Sequence, residues 1–182
     1  MVKDEAIAQI GEVFRRYGYE GATLARLSEA SGLGRASLYH HFPQGKEGMA
    51  AAVLDRVYGL LQEYLLTPLR GDGSPQERIR AMCANITHFY KGGQNSCFLD
   101  VLSLGEAQTL FREPIQCTLA AWLDALSQVL TEAGLDYQTA RQRAEDALIQ
   151  VEGALVLSRC LGDTTPFMRT IERLPQQLLQ NV

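Results

Sequence analysis

Thr23-Leu24-Ala25-Arg26-Leu27-Ser28-Glu29-Ala30-Ser31-Gly32-Leu33-Gly34-Arg35-Ala36-Ser37-Leu38-Tyr39-His40-His41-Phe42 is the stretch on which the fold turns. Thr23 can cap a short helix by accepting an amide hydrogen bond. Leu24 and Leu27 fall on the inner face of that helix, and Gly32 ends it. Gly32-Leu33-Gly34 is then a tight turn. The next helix runs from about Arg35 to His41 and ends before Pro43, whose ring cannot continue it. Two short helices joined by a glycine-containing turn are the elements of a helix-turn-helix.

At roughly 100° per residue from Arg35, Leu38 and Phe42 fall near about 300° and 340°, on one face. Ala36, His40 and Ser37 fall near about 100°, 140° and 200°, on the opposite face. The outer face is therefore small and polar, with Arg35 at the helix start and Lys46 beyond its end. Small residues allow close approach, and Ser, His and Arg can reach base edges or phosphates. Such a helix is about 10 Å long, short enough to enter end-first a major groove about 12 Å wide. A solvated helix of a plain bundle would carry the same pattern, so these residues alone leave DNA binding and mere packing as alternatives.

Upstream, Ile7, Ile10, Phe14 and Tyr17 follow helical spacing until Gly18 and Gly21 interrupt it, which predicts a first helix over residues 4–17. Downstream, Met49, Val53, Val57, Leu60, Leu61 and Tyr64 predict a longer helix from Lys46 that stops before Pro68. A Gly-rich loop follows over 70–75. Further helices are predicted over 76–91, 100–111, 114–133, 137–161 and 166–180, punctuated by Pro114, Gly134, Gly162, Pro166 and Pro175, with 91–96 as a loop. No alternating strand pattern, repeat or low-complexity tract occurs. The expected fold is all-α, with a three-helix head over 1–45 and a larger helical body over 46–182.

Composition sets the outer bounds. The 182 residues exclude a multidomain enzyme, and 46% hydrophobic with 21% charged residues suit an ordinary globular core. The charged start and the lack of any long uncharged apolar run predict a cytoplasmic protein without signal peptide or membrane span. A net charge of −4 argues against nucleic acid when taken whole. Residues 1–50, however, hold six basic and six acidic groups, and no acid lies between Glu29 and Glu47, where Arg35, His40, His41 and Lys46 fall. The remaining residues carry 11 basic and 15 acidic groups, which is the whole of the −4.

Catalytic and metal-binding patterns are missing. Cys83, Cys97, Cys117 and Cys160 form no C-x-x-C pair. His40 and His41 point about 100° apart and cannot chelate one ion as i, i+4 histidines do. Gly45-Lys46 lacks the upstream glycine of a phosphate-binding loop. No enzyme activity, metal or cofactor is expected.

The quoted stretch, followed by Lys46-Glu47, resembles the DNA-binding head of TetR-family transcriptional regulators over about the first 50 residues. The resemblance implies phosphate roles for Thr23 and Lys46, and groove-facing roles for Arg35, Ala36, Ser37, Tyr39 and His40. Two departures stand out. Gly34 occupies a helix-capping position where many members have Ser or Thr, and Pro43-Gln44-Gly45-Lys46 is one residue longer than the commonest linker. That linker, with Asn95-Ser96-Cys97-Phe98-Leu99 and Val151-Glu152-Gly153-Ala154-Leu155-Val156-Leu157-Ser158-Arg159, is similar to the LmrA/YxaF-like branch of the family.

The resemblance further implies a homodimer that represses from a pseudo-palindromic double-stranded DNA operator and is released by a small hydrophobic or aromatic effector. Small residues at helical spacing support dimerisation independently. Ala147, Val151, Ala154 and Leu155, with Phe167, Ile171, Leu174 and Leu178 of the last helix, are expected at a four-helix dimer interface, with a core inside one chain as the alternative. Cys83, Ile86, Phe89, Tyr90, Phe98, Phe111, Cys117 and Trp122 are expected to line the effector pocket, plain core being the alternative. A thiol-based redox sensor using Cys97, beside a Gly-rich polar loop, is a second functional reading.

Overall fold

The computed structural model describes residues 2–180, and among these every regular element is a helix. The order is α1 (Val2–Gly21), α2 (Leu24–Ser31), α3 (Arg35–His41), α4 (Gly45–Leu61), a π-helical turn (Gln62–Leu66), α5 (Thr67–Arg70), α6 (Pro75–Phe89), a 3-10 turn (Lys91–Gly93), α7 (Phe98–Val101), α8 (Gly105–Glu132), α9 (Tyr137–Leu161) and α10 (Thr165–Leu178). The chain forms two compact units. The first takes α1 to α3, α4 as far as Gly59 and the returning segment Phe98–Gln116. The second takes Leu60–Cys97 and Cys117–Val182.

In the first unit, Ile10 and Phe14 of α1 meet a core that includes Leu27, Leu38, Phe42 and Met49, all buried. Each such side chain stabilises the fold by about 1.5–3 kcal/mol relative to exposure. The returning segment adds Phe98 edge-on to Phe14 at 6.3 Å and Phe111 edge-on to Tyr19 at 5.9 Å. In the second unit, α10 lays Phe167, Ile171, Leu174 and Leu178 into the chain's own core, where α9 packs on it. The Ser158 hydroxyl accepts the Phe167 N–H at 3.2 Å and fixes the start of α10.

Two proline breaks expected from the sequence do not occur. The helix of α4 runs on through the π turn and α5 past Pro68. Pro68 has no N–H to offer the Tyr64 carbonyl, and Asn85 Nδ2 donates to that carbonyl instead, at 2.8 Å. Pro114 lies inside α8, so 100–111 and 114–133 are not two helices, and only the short α7 precedes it. Leu110, whose carbonyl Pro114 cannot serve, is an exposed residue. Pro175 lies inside α10, as the helix expected over 166–180 has it.

Candidate nucleic-acid interface

Local hydrogen bonds build the helix-turn-helix. The Thr23 side chain accepts the Arg26 N–H at 3.4 Å and opens α2, while Gly32, at φ 68°, closes it. The Ser28 hydroxyl donates to the Leu33 carbonyl, and the Ser31 hydroxyl to the Leu27 carbonyl, each at 2.6 Å. Two serines that sequence reading passed over therefore set the turn, and their spacing from Leu33 and Leu27 is the signal that could have found them. α3 begins at Gly34 without a side-chain cap and is anchored by buried Leu38 and, beyond its end, Phe42.

This anchoring leaves Arg35, Ala36, Ser37, Tyr39 and His40 exposed, five of the seven residues expected to meet DNA, all on α3. Tyr39 lies against the linker. Gly45 there has φ 62°, and a Cβ at Gly45 would stand 3.3 Å from the Tyr39 ring, so glycine suits both the backbone and the contact. Thr23 is exposed at the opening of α2, its oxygen engaged as the cap.

Lys46 is only partly exposed. Its ammonium donates to the Tyr19 carbonyl at 3.2 Å and sits 4.2 Å from the centre of the Tyr19 ring, which ties α4 to the end of α1. Two of its three N–H donors remain for another partner. Burial holds the Tyr19 phenol above its ordinary pKa, and the carboxylates of Glu47, Glu106 and Glu20 push it the same way.

The residues expected at an effector pocket are divided between the two units. Phe98 and Phe111 belong to the first unit, and Cys117 is exposed. Ile86, Tyr90 and Trp122 are buried in the second unit, with Phe89 edge-on to Tyr90 at 4.9 Å and Trp122 Nε1 3.4 Å from Met82 Sδ. Cys83, its thiol pushed up to about 12 by burial, borders a cleft of about 1000 Å³ between α6 and α10. Gln76, Arg80, Thr87, Glu172 and Gln176 give that cleft polar groups, and Ala84, Met168, Ile171 and Pro175 give it apolar ones. Cys97 is only 3% exposed, which withholds the access that a redox thiol needs.

The eight residues expected at a dimer interface, Ala147, Val151, Ala154, Leu155, Phe167, Ile171, Leu174 and Leu178, are all buried within the chain itself. The small-residue stripe of α9 closes on α10, because that stripe lets two helices of one chain approach. The apolar side chains that α9 leaves in solvent lie on another face: Ile149, Val156, Leu157 and Leu161.

Residues 7–53 match the model of the tetR family of bacterial regulatory proteins, and residues 75–173 match that of the LmrA/YxaF-like transcriptional regulator C-terminal domain. The chain belongs to the TetR family. The transcriptional regulator LmrA of Bacillus subtilis is 23% identical over 180 residues, a match that covers 97% of this chain and 96% of LmrA. YxaF of the same organism is 22% identical over 177 residues, with 95% and 93% covered. The crystal structure of a TetR regulator from Legionella pneumophila superposes with a TM-score of 0.81 at 22% identity, covering 96% of this chain and 95% of that one. This TetR-family regulator has, among its described residues, no helix long and apolar enough to cross a membrane. Nor do those residues include a group of three or more His, Cys, Asp or Glu side chains placed to hold a metal ion.

Proposed function

We propose that this TetR-family chain is a dimeric, ligand-responsive repressor whose α3 enters the major groove of a pseudo-palindromic operator. One observation carries the reading: Leu38 and Phe42 pin α3 to the core, while Arg35, Ala36, Ser37, Tyr39 and His40 stand exposed on it. Arg35 and Ser37 have the chemistry to read base edges, and Ala36 the small size that lets α3 seat deeply. In a dimer, two such heads would address successive major grooves about 34 Å apart.

The cleft between α6 and α10 supports an effector with an apolar body and a polar end. Arg80 and the glutamines would meet the polar end, and Ala84, Met168 and Ile171 the body. An effector that fits one arrangement of the second unit better than another changes operator affinity through a coupling of typically about 1–3 kcal/mol.

The test is binding of the purified full chain to DNA from its own promoter against random duplex at physiological salt. The promoter fragment is expected to bind more tightly, and equal binding would refute the repressor. Arg35→Ala or Ser37→Ala should relax the preference at one position of each half-site, by about 1–3 kcal/mol per lost base contact.

A further inference from the structure

Arg26 lies in the first turn of α2, next to the capping Thr23, and its guanidinium is held before any ligand arrives. Nη1 donates to the Gly21 carbonyl at 2.7 Å, and Cζ lies 4.2 Å from the centre of the Tyr17 ring. Arg16 places its own Cζ 5.4 Å from the same ring. Tyr17 is itself 39% exposed, so the ring is a platform at the surface.

The charges around this platform matter. Glu12 and Glu29 border the same shallow groove between α1 and α2. Glu12, however, is paired with Arg15 at 2.9 Å, and neither Arg16 nor Arg26 forms an ion pair among the described residues. Two cations thus share one aromatic ring. Their mutual repulsion is relieved by an anion, and a guanidinium with one donor spent on Gly21 keeps four more for it.

The first helix of a helix-turn-helix crosses the DNA backbone while the second reads the groove. We infer that Arg26, stacked on Tyr17 and oriented by Gly21, is a phosphate anchor for DNA, and that Arg16 adds a second positive charge at the same place. This rests on the DNA-binding reading above and adds to it residues to which the motif resemblance gives no role and which lie outside α3. The anchor works through pre-organisation. The stack and the Gly21 bond fix a side chain that would otherwise lose its rotamer freedom on binding. It carries affinity without sequence preference, because every nucleotide offers the same phosphate.

The experiment measures anisotropy of labelled promoter duplex and of random duplex with the full chain, between 50 and 200 mM salt, alongside the thermal midpoint of each variant. Arg26→Gln is expected to weaken both duplexes alike, roughly tenfold, and to lower the slope of log affinity against log salt by about 0.9 per protomer. Arg26→Lys should keep that slope yet lose affinity, since an ammonium does not stack as a guanidinium does. Tyr17→Leu should weaken binding with every charge in place. If Arg26→Gln keeps the wild-type slope, the anchor is refuted, even where a lowered thermal midpoint weakens binding through the fold. If the wild-type chain itself binds both duplexes equally, the repressor reading fails first and takes the anchor with it.

Discussion

Glu20 and Gly105 form a contact in the first unit where one atom more would be felt. A Glu20 oxygen accepts the Glu106 N–H at 2.8 Å, at the opening of α8, where a carboxylate also meets the positive end of the helix. Gly105 has φ 60°, and a Cβ built on it would run into the Glu20 carboxylate. Gly105→Ala should therefore destabilise the protein by about 1–2 kcal/mol from the left-handed backbone alone, with a further loss as Glu20 is displaced, read as a lower urea midpoint. The Glu106 amide is the main cause that holds the Glu20 pKa below the ordinary carboxylate value. A depressed folded-state pKa contributes stability above the unfolded value, and that contribution is lost as pH falls through the folded one. The gap in unfolding midpoint between wild type and Glu20→Ala is expected to be full at neutral pH and to close in acid. A gap that widened in acid would exclude this role. Lys46 teaches the converse at the same scale. The motif resemblance assigns it to phosphate, while the fold also gives it the Tyr19 carbonyl and ring, a tertiary contact that no spacing announces.

α3 is the element that must hold its shape to read DNA, and it starts without a capping side chain. Gly34 has φ −62° and ψ 159°, which any residue can adopt, and a Cβ there would meet nothing within 4 Å. Gly34→Ser should add a side-chain acceptor for the first-turn amides and cost the unfolded chain some freedom. The expected gain is a few tenths to about 1 kcal/mol, seen as a higher thermal midpoint. Base preference should stay unchanged, because α3 keeps its exposed face. A lower midpoint would mean that the turn needs glycine for a reason its dihedrals do not show. Helices α2 and α3 were readable from the chain because Thr23, Gly32, Gly34 and Pro43 each act locally, within one turn of the residue itself. The prolines at 68 and 114 were not. What a mid-helix proline costs depends on who serves the carbonyl it abandons, and at Tyr64 that partner is Asn85, on another helix. Of the expected effector residues, Cys83 is the one that borders the cleft between α6 and α10. Aromatic spacing identifies what is buried, and only packing decides whether the buried side chains face each other or a cavity.

At the scale of the whole molecule, α9 has two apolar faces, and sequence periodicity cannot say which one meets a partner. Its small-residue face is already used, since Ala147, Val151, Ala154 and Leu155 are buried within the chain. Its other face keeps Ile149 at 68%, Leu157 at 47% and Leu161 at 63% exposure, with Val156 beside them. Gly153 lies among these residues, and a Cβ there would have open space around it, so a second helix could approach the backbone closely. An exposed apolar patch is costly to leave in water, and it marks a site of association. The repressor reading therefore places the dimer contact on Ile149, Gly153, Leu157 and Leu161 rather than on the residues expected from the small-residue stripe. The double variant Ile149→Glu, Leu157→Glu puts like charges into both copies of such a face while touching no buried position. Sedimentation should show dimer for the wild-type chain and monomer for the variant. The thermal midpoint at low protein concentration should shift little, because exposed substitutions usually stay within about 0.5 kcal/mol. Promoter affinity should fall steeply, since a monomer presents one head where the proposed operator has two half-sites. A variant that stayed dimeric would move the contact off this face of α9, and with it the geometry by which the two heads are spaced on DNA.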